Sequence, residues 1–188
     1  FDGNGFNGPV LAVANTAGSQ AVTNFTLENL KVHGSANGRG LYIAGLSGST
    51  VRAGRVNNCE FYDNFGHGTL CSTNVQGVIY TNCISRNNGY GVGSHGFSTW
   101  APSASPAPSF VYWIGCIAED IIDFDGIEGQ GFESDYYSSY IFAIGCVARR
   151  CQGYGFLFNE STNGTFTGCL AYDNDGPGFG CTGSATGN

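Results

Sequence analysis

The sequence predicts an all-β solenoid, a chain wound into stacked coils of short strands, and three observations carry that expectation. A Gly-x-Gly step leading into an apolar or hydroxyl-bearing run occurs six times in 188 residues: "GRGLYI" (38–43), "GHGTLC" (66–71), "GYGVGS" (89–94), "GQGFES" (129–134), "CQGYGFLF" (151–158) and "GPGFGC" (176–181). A second landmark keeps step with it, the triplets "NNC", "TNC", "IGC", "IGC" and "TGC" that end at Cys59, Cys83, Cys116, Cys146 and Cys169. Helical periodicity is absent throughout, and no segment carries paired helix start and stop signals.

Taken in chain order, the second glycines are Gly40, Gly68, Gly91, Gly131, Gly155 and Gly178, separated by 28, 23, 40, 24 and 23 residues. Each cysteine precedes its glycine by 9, 8, 15, 9 and 9 residues, and Leu30 holds the same place in the first copy. A unit of about 23 residues is too small to bury its own apolar face and must stack on its neighbours. Within a unit, Cys146 and Ala148 share a face, a polar corner follows, and Gly155, Phe156 and Phe158 resume the apolar pattern. Corners carry turn formers: "DN" at 63–64, "NN" at 87–88 and "DND" at 173–175. A leucine-rich repeat would need its own leucine frame and a propeller blade about 40 residues or more. A parallel β-helix fits: six to seven coils of roughly 23 residues, about 4.8 Å apart, forming one domain over 1–188. The corner glycines are expected to adopt positive φ there.

These coils resemble the right-handed parallel β-helix proteins: pectate-lyase-like enzymes, mannuronan C5-epimerases and phage tailspikes. The resemblance covers residues 22 to 181, and "FDGNG" at 1–5 resembles an early coil of that superfamily. It speaks to fold far more than to activity, because one architecture hosts many chemistries. The epimerases carry a G-F-D-P-H run after the Gly-x-Gly corner. Here Gly131 to Asp135 read "GFESD", keeping Gly131, Phe132 and an acid at Glu133, with Ser134 and Asp135 in place of the proline and histidine. Epimerase chemistry is therefore not expected. Pectate lyases pair a basic residue with calcium-binding acids. The resemblance implies Arg149 as such a base beside Glu133, although adjacent Arg149 and Arg150 at a corner equally suit a solubilising role.

Composition narrows the partners. The net charge is −7, from 14 acidic against 7 basic residues, and Lys31 is the single lysine. Phosphate neutralisation needs clustered Lys and Arg, so neither nucleic acid nor an anionic membrane surface is an expected partner. No run approaches the roughly 18 apolar residues of a membrane span. The opening "FDGNGFNGPV" reads as a processed or truncated start. Eight cysteines would ordinarily raise a disulfide framework. Five of them share one repeat position, which favours a column of small buried thiols; zinc is not expected, since there is no C-x-x-C pair. Low charge and a Ser/Thr/Asn-rich surface point to an extracellular, secreted or virion-surface location.

Function on a solenoid is expected where the repeat is broken. Two insertions, 93–110 with Trp100 at its centre and 119–130 ("EDIIDFDGIEGQ"), fall on adjacent coils and are expected to wall one groove. Glu133, Asp135, Asp123 and Arg149 are the candidate catalytic residues, and Trp100, His95, Asp120, Asp125 and Glu128 the candidate substrate-binding ones. Aromatic faces stack on sugar rings, carboxylates accept hydroxyl hydrogen bonds, and a carboxyl pair serves glycosidic cleavage. The expected partner is a polysaccharide or glycan, cut by a hydrolase or lyase or only bound. The same acids would equally keep a solvated loop soluble. No cofactor is expected, apart from calcium at Asp123 and Asp125 as a lesser alternative. His33 and His67 read as exposed corner residues. Asn24, Asn159 and Asn163 head N-x-S/T sequons and are candidate glycan acceptors. A contrasting reading is a non-catalytic fibre subunit, assembling head to tail or as a trimer.

Overall fold

A computed structural model shows the chain as a parallel β-helix. It describes residues 1–4, 6–15, 21–45, 49–102, 106–126 and 128–183. Every pairing between its named strands is parallel, and no helix occurs among the described residues. Three sheets run the length of the stack. The seven-stranded sheet takes one strand per coil in chain order: Leu11–Asn15, Leu41–Gly45, Thr69–Cys71, Phe97–Thr99, Phe132–Asp135, Phe156–Asn159 and Phe179–Thr182. The six-stranded sheet comprises Lys31–His33, Glu60–Tyr62, Ile84–Arg86, Ile117–Glu119, Val147–Arg149 and Leu170–Tyr172. A nine-stranded sheet, which includes Ser109–Ile114 and Ser139–Ile144, completes the coil.

Residues one coil apart sit in register. Leu41 pairs with Thr69, Thr69 with Phe97, Phe97 with Phe132, Phe132 with Phe156 and Phe156 with Phe179. The last four of these rings stack inside the helix at centroid separations of 4.9, 4.8 and 5.0 Å, nearly coplanar. That spacing is the rung spacing of a sheet, so each ring lies on the one beneath, in the offset stacking aromatics prefer.

The chain turns at three single-residue bends, and the side chains there explain the asparagines of the sequence. Asn29, Asn58, Asn82, Gly115, Gly145 and Gly168 hold φ between 51° and 61°, immediately before Leu30 and the five repeat cysteines. Gly34, Asp63, Asn87, Asp120, Arg150 and Asp173 form a second such file after the six-stranded sheet. Asn and Asp tolerate the left-handed region because their short side chains bond locally. The cysteine carbonyls pair rung on rung with the amide after the next cysteine, Ile117 N–H donating to Cys83 O and Val147 N–H to Cys116 O. Four of the five thiols contact carbonyls of the preceding coil, as Cys146 Sγ does Trp113 O (3.2 Å) and Cys83 Sγ does Val56 O (3.4 Å). All eight cysteines are free.

The corner column differs from the expected one in two ways. Gly96, not Gly91, holds the third place: Thr69 N–H donates to Gly96 O, and Phe97 N–H donates to Gly131 O. The column is Gly40, Gly68, Gly96, Gly131, Gly155 and Gly178, and none of the six has positive φ. Glycine is required by close approach instead. A Cβ on Gly131 would lie 2.7 Å from Gly155 O, and one on Gly155 2.7 Å from Gly178 O. Five residues after each repeat cysteine stands a second buried file, Asn64, Asn88, Ile121, Cys151 and Asn174. Asn88 Nδ2 donates to Phe61 O, Asn64 N–H donates to Asn88 Oδ1, and Asn174 Nδ2 donates to Ala148 O, so the corner carbonyls are satisfied internally. Between this file and the glycine column, regular later coils place three residues, the third coil seven (89–95) and the fourth nine (122–130). The excess of the fourth coil and part of that of the third thus emerge at one corner, beside the seven-stranded sheet; the rest of the third coil's follows the Phe97–Thr99 strand.

Candidate functional site

The Phe132–Asp135 strand alternates across the sheet. Phe132 and Ser134 point inward, the latter bonded to Thr99 Oγ1 (3.3 Å), which leaves Glu133 and Asp135 on the outer face. His95 arrives on the same face from the residue before Gly96. Its Nε2 lies 2.5 Å from Glu133 Oε2 and 3.5 Å from Glu128 Oε2. His95 and Glu133 are each 3% exposed, whereas Glu128, on the fourth-coil insertion, is 43% exposed along its side chain. A histidine from the coil before thus reaches the "GFESD" run.

Charge crowding sets the proton affinities. Burial alone would lower the His95 pKa, but the Glu133 carboxylate overcomes it and the net direction is up. Burial raises the Asp135 pKa, the Glu133 charge raises it further, and it is pushed up to about 7. Asp135 Oδ1 accepts from Asn159 Nδ2 (2.8 Å) and from Tyr136 N–H (2.9 Å), so Oδ2 is the oxygen left to carry the proton. Burial also raises Glu128, against an opposing pull from His95. His67 is not the exposed corner residue expected. Its ring centroid lies 5.0 Å from that of His95, its Nδ1 accepts the His95 backbone N–H (3.2 Å), and burial and the neighbouring cations hold its pKa well below the usual range. His33 stacks on Tyr62 away from this site.

Trp100 ends the strand above. It follows Thr99, whose register partner Ser134 precedes Asp135, and it is half-buried. Asp123 is an internal staple: its Oδ1 accepts from Ser94 N–H, its Oδ2 from Glu128 N–H, and its own N–H donates to Gln152 Oε1. Those bonds tie the third-coil insertion to the fourth and the fourth to the fifth coil. They turn both Asp123 oxygens to backbone amides; Asp125 is exposed beside it, and burial and Asp125 raise the Asp123 pKa. No cluster of three or more His, Cys, Asp or Glu suited to a metal occurs among the described residues.

Arg149 and Asp120 stand elsewhere. Arg149 lies on the six-stranded sheet, where it pairs with Glu119 at 2.5 Å and donates to Tyr172 Oη (3.0 Å). Asp120 pairs with Arg150 at 2.7 Å, which lowers its pKa. Neither joins Glu133, because Glu119 and Asp120 complete the regular coil and only the residues after them leave it. Within the 93–110 stretch, Phe97–Thr99 is a coil strand, and residues 103–105, like Ile127 of the other insertion, lie outside the described residues. Asn24 and Asn163 are exposed at positive φ, whereas the Asn159 side chain is held between Asp135 and Thr182 Oγ1. Sequence reasoning missed His67, Gln152, Tyr136 and Tyr137. The two tyrosines are 41% and 49% exposed and sit at φ 20° and 60° directly after Asp135. Positive φ at adjacent tyrosines is costly backbone that cannot be read from sequence.

No family model and no curated protein sequence matches this chain. Solved structures similar to it include the A-module of the Azotobacter vinelandii mannuronan C-5 epimerase AlgE6, at 12% identity and TM-score 0.46, over 93% of this chain and 56% of that one. The enzymatically active domain of bacteriophage CBA120 tailspike protein 2 is similar at 15% identity and TM-score 0.44, over 95% of this chain and 38% of the other. The full-length tailspike protein 2 of that Escherichia coli O157:H7 phage gives 13%, 0.44, 95% and 34%. At these identities the likeness is one of fold, and the chain spans about half or less of each structure's length.

Proposed function

We propose that the outer face of the seven-stranded sheet binds a polysaccharide chain and hydrolyses it, with Asp135 as the proton donor and Glu128 as the second carboxyl. The observation that carries this reading is the buried His95–Glu133 pair, 2.5 Å apart on the outside of a sheet, with two further carboxyls crowded against it. A face that served only solubility would not bury an ion pair, since desolvation commonly outweighs the attraction. Groups whose surroundings push their proton affinities away from the usual range cluster where proton transfer is needed. Asp135, held near neutrality, retains a proton to give the departing glycosidic oxygen as the C–O bond breaks. A water attacks the anomeric carbon and yields its proton to the Glu128 carboxylate. Glu133 and His95, too buried to reach a sugar, hold that charge distribution in place. Trp100, Tyr136 and Tyr137 offer apolar rings for sugar faces. The low charge and polar surface support an extracellular or virion-surface setting for this activity.

The test is reducing-end release from a panel of neutral and acidic polysaccharides. Asp135→Asn and Glu128→Gln should each lower turnover by about 10²–10⁴-fold while binding persists. Undiminished release in both variants, or no release from any member of the panel, overturns the reading.

A further inference from the structure

From the corner two rungs above this site, we infer that the protein carries a subsite for a monoanionic oxyanion substituent, a carboxylate or a sulfate ester, on a sugar of the bound chain, with Arg39 as its receptor. This rests on the polysaccharide reading above and adds the charge of the substrate to it. Arg39, His67, His95 and Gln130 occupy the same corner position on successive coils, as Gly40 N–H donates to His67 O, Gly68 N–H to His95 O and Gly96 N–H to Gln130 O. At about 4.8 Å per rung, Arg39 stands roughly 10 Å from His95 along the helix axis.

Three observations converge on Arg39. Its guanidinium meets no carboxylate within ion-pair distance among the described residues, in contrast to Arg86, Arg149 and Arg150, which each have one. Its Nε is buried with no hydrogen-bond partner, and such an orphaned donor marks a place where a ligand or water belongs. Its Cζ lies over the Tyr42 ring, 5.2 Å from the centroid, a cation–π contact that restrains the side chain.

A recess of about 210 Å³ opens beside it, bounded by Arg39, His67, Phe65 and the glycine backbone of residues 38, 66, 91 and 93. Phe65 is 38% exposed and offers a ring to a sugar face. His67 is held neutral, so Arg39 is the cation of this recess. Glu128 lies across Gly93, where a Cβ would stand 3.3 Å from its Oε2. The recess is therefore polarised, positive at Arg39 and negative toward the carboxyls. A planar fork of N–H donors recognises planar or tetrahedral oxyanions bidentately, and a neutral hydroxyl would leave the charge unmatched.

The experiment titrates the full chain calorimetrically with three tetrasaccharides: one of uronic acids, its carboxyl-reduced neutral counterpart, and an O-sulfated form of that neutral chain. The expected result is at least tenfold tighter binding of a charged form than of the neutral one, with the two charged arms separating carboxylate from sulfate. Arg39→Gln should erase the preference by weakening binding of the charged forms toward that of the neutral one. Arg39→Lys, which keeps charge without the fork, should retain part of it and serves if the glutamine variant does not fold. Asp135→Asn should leave the preference intact. Equal affinity for charged and neutral chains, a preference that survives Arg39→Gln, or no binding of any of the three overturns the inference. A preference that holds while no polysaccharide is cleaved sinks the hydrolytic reading alone, and cleavage without preference sinks the subsite alone.

Discussion

Replacing Asp135 by Asn should stabilise the protein in alkaline solution and have no such effect in acid. The folded state pushes this carboxyl up to about 7, through burial first and the Glu133 charge second, against about 3.9 in an unfolded chain. An acid with a raised folded pKa binds more protons folded than unfolded between those values. Stability therefore falls as pH rises from about 4 to about 7, then levels off. Three pH units correspond to a ceiling of about 4 kcal/mol at 1.36 kcal/mol each. The carboxyl is partly open to solvent, and screening reduces that to about 1–2 kcal/mol. Asn keeps an oxygen for the Asn159 and Tyr136 donors and places its amide where the proton of Oδ2 resides. Denaturant unfolding of both proteins at pH 4 and pH 8 is the assay. The expected gain is about 1–2 kcal/mol at pH 8 and close to none at pH 4. The same difference at both values, or a loss at pH 8, would refute the charge-crowding argument.

Two further outcomes follow from the same geometry. Gly96→Ala should cost about 1–3 kcal/mol, the range for forced overpacking, because its Cβ would meet Gly131 O at 2.5 Å and Ala118 Cβ at 3.0 Å. Gly91→Ala should cost less, since the closest atoms belong to the exposed Phe65 ring, and thermal melts of the pair check the corner register. Arg149→Ala should leave polysaccharide cleavage within about twofold of wild type and lower stability only slightly, because the guanidinium is solvent-screened. A large fall in turnover at unchanged stability would return Arg149 to the site.

The parts of the fold that were legible are those that repeat an identity. Cysteine after a left-handed Asn or Gly, and glycine where one coil's carbonyl crosses another's Cα, recur because each coil meets the same constraint. The third glycine was misread because the insertion supplies glycines of its own at 89, 91 and 93, and spacing alone cannot tell them from Gly96. The glycine requirement was rightly placed and wrongly explained, since strain within a residue and contact between coils leave the same letter. That Glu133 and Asp135 share a face was readable because alternation puts residues two apart on one side of a strand. That Arg149 lies on another sheet was not, because its distance from Glu133 in sequence does not reveal it.

The sequence by itself determined the stacking, for a unit of this size buries its apolar side only against the next, and its letters recur at the coil period. The tertiary structure alone decided which outward residues meet. His67, His95 and Glu133 belong to three successive coils, and their approach depends on how far two unequal corner loops displace each turn. That displacement is a property of backbone paths, which no periodicity in the letters encodes.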